Sequence, residues 1–387
     1  MSVTLTDLIP DLYVSLDVVS REMVGMIPSV SIDAQVARAA IGQQVRTFVA
    51  PASSANDIVP GVIPPDDGDQ SILNRSITVQ KSRRVPIRWT GENDRESAFN
   101  AGSIRQQQIQ QAMRTLVNEI ESDLYNVTAT NASRMYRGSN PALTPFRTAN
   151  EWTDAASTRK VLMDNGSPLN DISMVMDTAT GASLRGYQAA VNTYGSDQLI
   201  RQGVLLDVGG MSLRESAAVG AVASASAGLE MAAVGGEAVG ATSIAVTEAE
   251  AGDVVLAAGD LVHIAGHDEL YMVTSPSTVS TSGTITIEGP GLRKALVGGE
   301  VMTVAETGVR NVAFQRGAVI LASRLPSVPE GGDLAQDRTT ITDPRSGLSF
   351  EVAMYPQYRQ MQWEISAAWG VGVIKPEHVT GQLHSVI

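Results

Sequence analysis

One stretch, from Gly102 to Thr130, constrains the fold of this chain more than any other. Its apolar residues recur at the spacing of a single helical face, at Ile109, Met113, Leu116, Val117, Ile120 and Leu124. The other side is polar, with Gln111, Arg114, Thr115, Asn118 and Ser122. A continuous helix here would be roughly 40 Å long. Because β-type sequence precedes and follows it, the pattern predicts a spine helix that lies along a sheet.

The C-terminal region carries the strongest strand signal. Apolar residues occupy every second position at Met361, Trp363, Ile365, Ala367, Trp369, Val371 and Val373. A strand of this length spans roughly 43 Å, which is close to the length of the spine helix. A shorter alternating stretch, from Leu348 to Met354, precedes it. Together these stretches predict an α+β protein in which a long helix lies on a long-stranded sheet to form an elongated plate.

An extended arm is predicted before the spine. Residues Arg46 to Asp69 show no periodicity and contain four prolines and the acidic residues Asp66, Asp67 and Asp69. The segment from Ser76 to Thr90 then alternates, with Ile77, Val79, Val85, Ile87 and Trp89 on one side. Pro86 cannot donate a ladder hydrogen bond, so this strand is predicted at a sheet edge. We expect its apolar side to need another subunit for burial.

Charged residues on and near this arm have several interpretations. Arg83, Arg84 and Arg88 are expected to form ion pairs between subunits or to be exposed, and nucleic-acid binding is a weaker alternative. The acidic cluster at residues 66 to 69 is interpreted as a solvated loop or as a partner for arginines. It lacks the ligand spacing of a calcium loop. These residues are therefore predicted contacts between subunits.

The remaining segments predict an α/β alternation. We expect a brief helix at Asp33 to Val45, a helix at Asp154 to Asp164 and a strand at Ile172 to Asp177. A helix at Ala179 to Val191 and a strand at Val204 to Val208 follow.

Composition changes at about residue 216. Residues 216 to 308 contain eleven acidic and two basic residues, a local charge of −9 within a chain of net charge −13. Short apolar stretches separated by Gly or Ser-Pro turns recur about every ten residues, which is typical of a small β-barrel or sandwich. We therefore predict an inserted β-domain, with Asp268 and Glu269 in an acidic loop.

Composition also limits the function classes. An acidic chain lacks the cationic footprint that bulk attraction to nucleic acid requires, and the absence of cysteine excludes disulfides and thiolate chemistry. The N-terminus has no basic region of the kind that begins a signal peptide, and no apolar run is long enough to cross a bilayer as a helix.

No catalytic, cofactor or metal constellation emerges. His263 and His267 are four apart but are expected in a surface turn, and His378 and His384 are expected to be solvated. The alternation around Trp363 and Trp369 indicates core residues. A pair of catalytic carboxylates beside aromatic platforms, as in glycoside hydrolases, is not recognisable. The sequence therefore predicts a protein that is not an enzyme and has no cofactor.

Three stretches carry a family resemblance, namely SITVQKSRRVPIRWTGENDRE before the spine, GDLVHIAGHDELYMV in the insertion, and ITDPRSGLSF with WEISAAWGVGVIKPE near the end. In this order, the chain resembles the major capsid proteins of tailed bacteriophages with the Hong Kong 97 fold. It looks most like the P-twenty-two type coat proteins, which carry an inserted β-barrel. The alternatives are another phage structural protein, of the tail or sheath, and a carbohydrate-binding or adhesive β-protein.

The resemblance implies a domain plan. Residues 1–45 would be an N-terminal arm, 46–92 the extended loop and 93–164 the peripheral domain with the spine helix. Residues 165–215 and 309–345 would form the axial domain, 216–308 the inserted domain and 346–387 the C-terminal strands of the peripheral domain.

The resemblance also implies partners. These are many copies of the chain in pentamers and hexamers, a scaffolding protein, a portal, and packaged DNA touched without sequence specificity on the inner face, with no membrane. The location would be the virion capsid, assembled in the host cytoplasm. Some relatives form lysine–asparagine cross-links, but no acidic catalyst can be assigned beside Lys81, so none is expected here.

Overall fold

The computed structural model describes most of the chain, over residues 5–20, 24–49, 55–58, 60, 73–96, 101–138, 145–146, 152–190, 207–248, 253–343 and 346–385. The helices within these ranges are α1 (Leu5–Ser20), α2 (Gly91–Glu96), α3 (Ala101–Thr130), α4 (Trp152–Asp164) and α5 (Thr178–Ala190). No helix in the described part of the chain has the length and apolar character needed to cross a membrane.

The strands fall mainly into two large sheets. In chain order they are β1 (Ser31–Ala39), β2 (Gln44–Val49), β3 (Leu73–Thr78), β4 (Lys81–Thr90), β5 (Arg134–Tyr136), β6 (Ile172–Met176), β7 (Ser212–Glu215), β8 (Ala221–Val222), β9 (Glu230–Ala233), β10 (Ser243–Glu248), β11 (Val254–Leu256), β12 (Leu261–Ile264), β13 (Glu269–Met272), β14 (Ser277–Val279), β15 (Ser282–Thr286), β16 (Val301–Val304), β17 (Gly308–Gln315), β18 (Val319–Pro326), β19 (Asp337–Thr342), β20 (Ser349–Gln357), β21 (Gln360–Val373) and β22 (Val379–Ser385). The predicted α+β class is confirmed.

The spine helix and the long C-terminal strand were both predicted and both form. Helix α3 is 30 residues long and β21 is 14 residues long. Strand β21 lies inside a sheet with the order β1-β18-β21-β20-β19, and β4 pairs with β21 as well. Apolar residues of α3 and of β21 share one hydrophobic core, in which Met113, Leu116, Trp363 and Ile365 are all buried. The predicted plate of a helix on a long-stranded sheet is therefore confirmed.

The predicted helix at Asp33 to Val45 is wrong. This segment forms β1, which runs parallel to β18 with Ser31 opposite Ile320, and then turns at Gly42 into β2. Gly42 has a φ of +90°, which favours glycine and ends the first strand. Helix propensity is a weak prior, and the ladder hydrogen bonds that β18 and β3 provide override it.

Helix α1, at the start of the described chain, lies against the spine helix. Its residues Leu12, Leu16 and Val19 are buried in the same core as the apolar face of α3. The opposite face of α1 exposes Tyr13, Val14 and Val18 to solvent.

The second sheet has twelve strands, in the order β15-β10-β9-β16-β12-β13-β5-β22-β17-β6-β7 with β8 paired to β17. The short strands predicted between residues 253 and 305 are present as β11, β12, β13, β15 and β16. They enclose an apolar cluster of their own, which includes Ile244, Val262 and Met302. The sheet nevertheless continues through β13 into β5, where Leu270 pairs with Met135. The boundaries of an inserted domain remain a prediction.

Other predicted elements agree with the structure where it describes them. The helix predicted at Asp154 corresponds to α4, the strand at Ile172 to β6 and the helix at Ala179 to α5. Most of the strand predicted at Val204 to Val208 lies outside the described residues.

Candidate assembly surface

Strand β4 lies at a sheet edge, as predicted from Pro86. It pairs antiparallel with β21 over its whole length, from Lys81 opposite Trp369 to Thr90 opposite Gln360. Pro86 stands opposite Glu364, and among the described strands β21 is the one partner of β4. The other edge of β4 therefore has room for Pro86, which lacks a backbone N–H.

The expectation that this segment cannot bury its apolar side within its own chain is wrong. Ile87 and Trp89 enter the core beneath the spine helix, where they are 9% and 6% exposed, and Val85 packs half-buried against the same core. Ile77 and Val79 are buried in small clusters on the arm side of the sheet, with Ala322 and Ala368 respectively. Their proposed contacts with other subunits remain a prediction, but burial of these side chains does not require another subunit.

Two glycines of β21 make this burial possible. A Cβ atom on Gly370 would lie 2.2 Å from the backbone oxygen of Thr78, and one on Gly372 would lie 3.1 Å from a side-chain carbon of Ile77. Since side chains of a strand alternate between faces, the sequence Trp369 to Val373 directs its large residues to the spine and its glycines to the arm. The arm can therefore lie directly on the backbone of β21.

The cations of β4 fall on both faces of the sheet. On the spine face, the Lys81 ammonium lies 3.0 Å from Glu119 and 2.8 Å from Asp123, and Arg83 lies 3.2 Å from Glu119. Burial alone would lower the pKa of Lys81, but its hydrogen bonds to Asp123 and Glu119 outweigh that effect and raise the pKa. These cations hold the edge strand to the spine helix of the same subunit.

On the opposite face, Arg84 lies 2.6 Å from Glu364, and Arg88 donates a hydrogen bond of 3.2 Å to Gln362. Both arginine side chains are exposed, with Arg84 retaining 59% of its side-chain surface. Arg84 and Arg88 thus lie on the outward face of β4, beside its unpaired edge. Exposed ion pairs of this kind contribute little to stability.

The acidic residues singled out in the sequence lie in different environments. Asp66, Asp67 and Asp69 lie outside the described residues. Asp268 is exposed in the turn before β13, as predicted for a loop. Glu269 is not in a loop, because it begins β13 and is 4% exposed, with its carboxylate 2.7 Å from the buried Arg134 guanidinium. The pairing of β13 with β5 brings these two side chains together.

Two histidines expected at the surface are buried. His267 is 8% exposed, and its Nδ1 atom lies 2.7 Å from the hydroxyl of Tyr271. His384 is 3% exposed and lies 3.4 Å from Asp177, because β22 runs beside β17 inside the second sheet. Within the described ranges, no three histidine, aspartate or glutamate side chains are grouped so that they could hold a metal ion.

Sequence reasoning missed Glu121, which joins three parts of the chain. The residue is 3% exposed, and its carboxylate accepts hydrogen bonds from the backbone N–H groups of Gly25, Met26 and Ile27 at 2.7, 2.6 and 3.0 Å. The Ser216 hydroxyl donates a fourth, at 2.7 Å. Burial raises the pKa of Glu121, against the opposing effect of these donors. A signal existed, because Glu121 lies four residues after Val117 and three before Leu124, on the apolar face of the helix.

Comparisons with known proteins returned solved structures only. No family model matches the chain, and no curated protein matches it. The capsid of the cyanophage P-SCSP1u is similar at 12% identity and a TM-score of 0.49, over 93% of this chain and 87% of that chain.

Two further solved structures match over similar lengths. The capsid of a native GTA particle has 9% identity and a TM-score of 0.47, over 95% of this chain and 91% of that chain. The mature capsid of bacteriophage PhiM1 has 11% identity and a TM-score of 0.46, over 93% and 86%.

Proposed function

We propose that this chain is a major capsid protein of the Hong Kong 97 type, which assembles into the icosahedral shell around the double-stranded DNA of a tailed bacteriophage. The observation that carries the proposal is the plate itself, in which a 30-residue helix lies along a 14-residue strand. Strand β3, which pairs with β2, lies against β21, and the chain continues from it into the edge strand β4, whose outward face carries Arg84 and Arg88. This architecture supports the proposal independently of the matched capsids, whose sequences are no more than 12% identical.

The physical argument starts from the edges of the plate. Strand β19 has a single partner among the described strands, whereas the edge of β4 is interrupted by Pro86. Unpaired strand edges are templates for pairing with other chains, and proteins that remain monomeric usually cover or interrupt them. A subunit with such an open edge is suited to tiling, and many weak contacts then act together.

The finer assignments belong to the same proposal. Pentamers and hexamers of the chain would form the shell, with a scaffolding protein and a portal taking part in assembly in the host cytoplasm. Packaged DNA would touch the inner face without sequence specificity, and this contact would be weak because a net charge of −13 provides no general attraction to phosphate.

Imaging and sizing of the purified full-length chain test this function. Closed shells of megadalton mass in negative-stain electron micrographs are the expected result. Tubes would instead indicate a tail or sheath protein. A small monodisperse species at high protein concentration that binds immobilised polysaccharide would refute the capsid function and favour an adhesive β-protein.

A further inference from the structure

Three side-chain contacts hold the turn between β12 and β13, at residues 265 to 268. The His263 Nε2 atom lies 3.1 Å from the backbone oxygen of His267, and the Lys294 ammonium donates a hydrogen bond of 2.8 Å to the backbone oxygen of Gly266. The third contact joins the His267 Nδ1 atom to the Tyr271 hydroxyl at 2.7 Å, where both residues are buried. A histidine takes part in two of the three contacts, so the hold on this turn can depend on protonation.

The neighbours of the Tyr271 hydroxyl decide which way its hydrogen points. Its oxygen already accepts a hydrogen bond from the Arg293 backbone N–H at 3.1 Å, and the Glu269 carboxylate on the same strand is paired with the buried Arg134. If Tyr271 donates to His267 Nδ1, both buried atoms have a partner. A proton on Nδ1 would instead leave the hydroxyl hydrogen without a hydrogen bond to any described residue, which is costly in a buried site. The geometry therefore favours a neutral His267 that accepts at Nδ1 and carries its proton on Nε2.

Protonation of His267 removes this acceptor, because an imidazolium has an N–H on both nitrogens. Burial and the nearby Lys294 ammonium lower the pKa of His267, against the opposing effect of Glu300 and Asp268. The neutral form therefore predominates at pH 7, and the charge appears only in more acidic solution. The other titratable or charged side chains around the turn, from β12, β5, α4 and the loop before β16, are His263, Arg137, Lys160, Asp164 and Arg293.

The turn lies between two polar clefts beside α4. One has a volume of about 370 Å³ and is lined by Arg137 and Lys160, and the other has a volume of about 340 Å³ and is lined by Lys160 and Arg293. The turn residues His267 and Asp268 line both clefts. A displacement of the turn would therefore join the two clefts.

We propose that the β12–β13 turn is a pH-sensitive switch, which the hydrogen bond from Tyr271 to His267 closes at neutral pH and which opens when His267 takes up a proton. In the open state, the charged imidazole loses its bond to Tyr271 and is repelled by Lys294 on the loop before β16. Residues 265 to 268 then move away from that loop and no longer separate the two clefts. The switch goes beyond the proposed capsid function and does not depend on it.

Hydrogen–deuterium exchange of the full-length protein at pH 7 and pH 5 tests the switch, after correction for the effect of pH on unprotected amides. Loss of one hydrogen bond corresponds to about 2- to 10-fold in an opening equilibrium. We therefore expect peptides that cover residues 265–272 and 290–296 to exchange about 2- to 10-fold faster at pH 5. The tip of the β20–β21 hairpin, at residues 357–360, contains no histidine and should be unchanged. An equal gain at this tip would indicate general loosening in acid and would overturn the inference.

Variants identify the group that titrates. His267→Asn keeps a side-chain oxygen that can accept from Tyr271 but has no proton to gain, so its turn should exchange slowly at both pH values. Tyr271→Phe removes the donor, so its turn should exchange as fast at pH 7 as the natural turn does at pH 5. His378→Asn is the matched control at another partly buried histidine and should keep the full response to pH. The inference fails if the natural turn exchanges equally at the two pH values, or if the response survives in His267→Asn or in Tyr271→Phe.

Discussion

Glu121 provides the sharpest test of what holds the subunit together. In the variant Glu121→Ala, the N–H groups of Gly25, Met26 and Ile27 lose their acceptor at a residue that is only 3% exposed. Each buried donor left without a partner costs about 1–3 kcal/mol, so three of them amount to about 3–9 kcal/mol. A stability of about 5–15 kcal/mol is usual for a whole domain. We therefore expect a subunit that is largely unfolded or loses its N-terminal segment.

A graded series makes this prediction quantitative. Glu121→Gln keeps one carbonyl oxygen but turns an amide toward the donors, so we expect a loss of about 1–3 kcal/mol. Ser216→Ala removes one of the four donors and should cost about 1 kcal/mol. Glu119→Gln is the matched control two residues earlier on the same helix. Its carboxylate makes half-exposed ion pairs with Lys81 and Arg83, so its loss should cost about 1 kcal/mol or less.

Urea unfolding of unassembled subunits, followed by circular dichroism, measures the series. The expected order of stability is Glu119→Gln above Ser216→Ala, then Glu121→Gln, and Glu121→Ala lowest. If Glu121→Ala unfolds within about 1 kcal/mol of the natural protein, the four hydrogen bonds contribute nothing net and the reasoning is refuted. Protease cleavage near residue 25 at low urea would show that the N-terminal segment detaches before the core unfolds.

Two further predictions concern the arm and the buried histidines. Gly370→Ala places a Cβ atom 2.2 Å from the backbone oxygen of Thr78, so we expect the free energy of unfolding to fall by about 1–3 kcal/mol and the arm to be cleaved faster by protease. Gly331→Ala is the control, because no neighbouring atom lies within 4 Å of its Cβ position, and it should behave like the natural protein. Equal rates of proteolysis in the two variants would contradict the close packing. For His267, burial and the nearby Lys294 lower the pKa in the folded state, so the unfolded chain takes up a proton first and stability should fall as the pH drops below about 6.5. His267→Gln should flatten that fall by up to about 1.4 kcal/mol per pH unit in urea unfolding at pH 7 and pH 5. An unchanged slope would show that the pKa of His267 is the same in the folded and unfolded chains and would contradict the prediction.

Periodicity in the sequence was sufficient for the longest elements. The spine helix and β21 were predicted within two residues of their observed ends, because each repeats one pattern for 13 residues or more and buries one face. Short pairs of strands were harder to predict from the sequence. The segment after Ile32 has a composition compatible with a helix, and only the presence of β18 beside it decides for a strand. The partner is about 290 residues away in the sequence, where no local pattern refers to it.

In the candidate assembly surface, too, local features were predictable from the sequence and long-range packing was not. Pro86 alone indicated an edge strand, because a missing N–H is a local property. The burial of Ile77 and Val79 within their own subunit depended on Gly370 and Gly372, whose role is visible only when β3 lies across β21. In the alternating sequence of β21, Gly370 and Gly372 occupy the positions of the non-apolar face. The pattern alone does not indicate that another strand packs against them.

By itself, the sequence determined the class of the fold, the long helix, the long strands and the edge position of β4, since these follow from hydrophobic period and backbone chemistry within one segment. Only the tertiary structure decided which charges are buried. Glu269 and His384 were expected at the surface, and Glu121 is a charged residue on an otherwise apolar helix face. Each is buried because distant segments bring it a partner, respectively Arg134, Asp177 and the backbone at Gly25 to Ile27. A buried polar group needs its partner in space, and a sequence records only its neighbours along the chain.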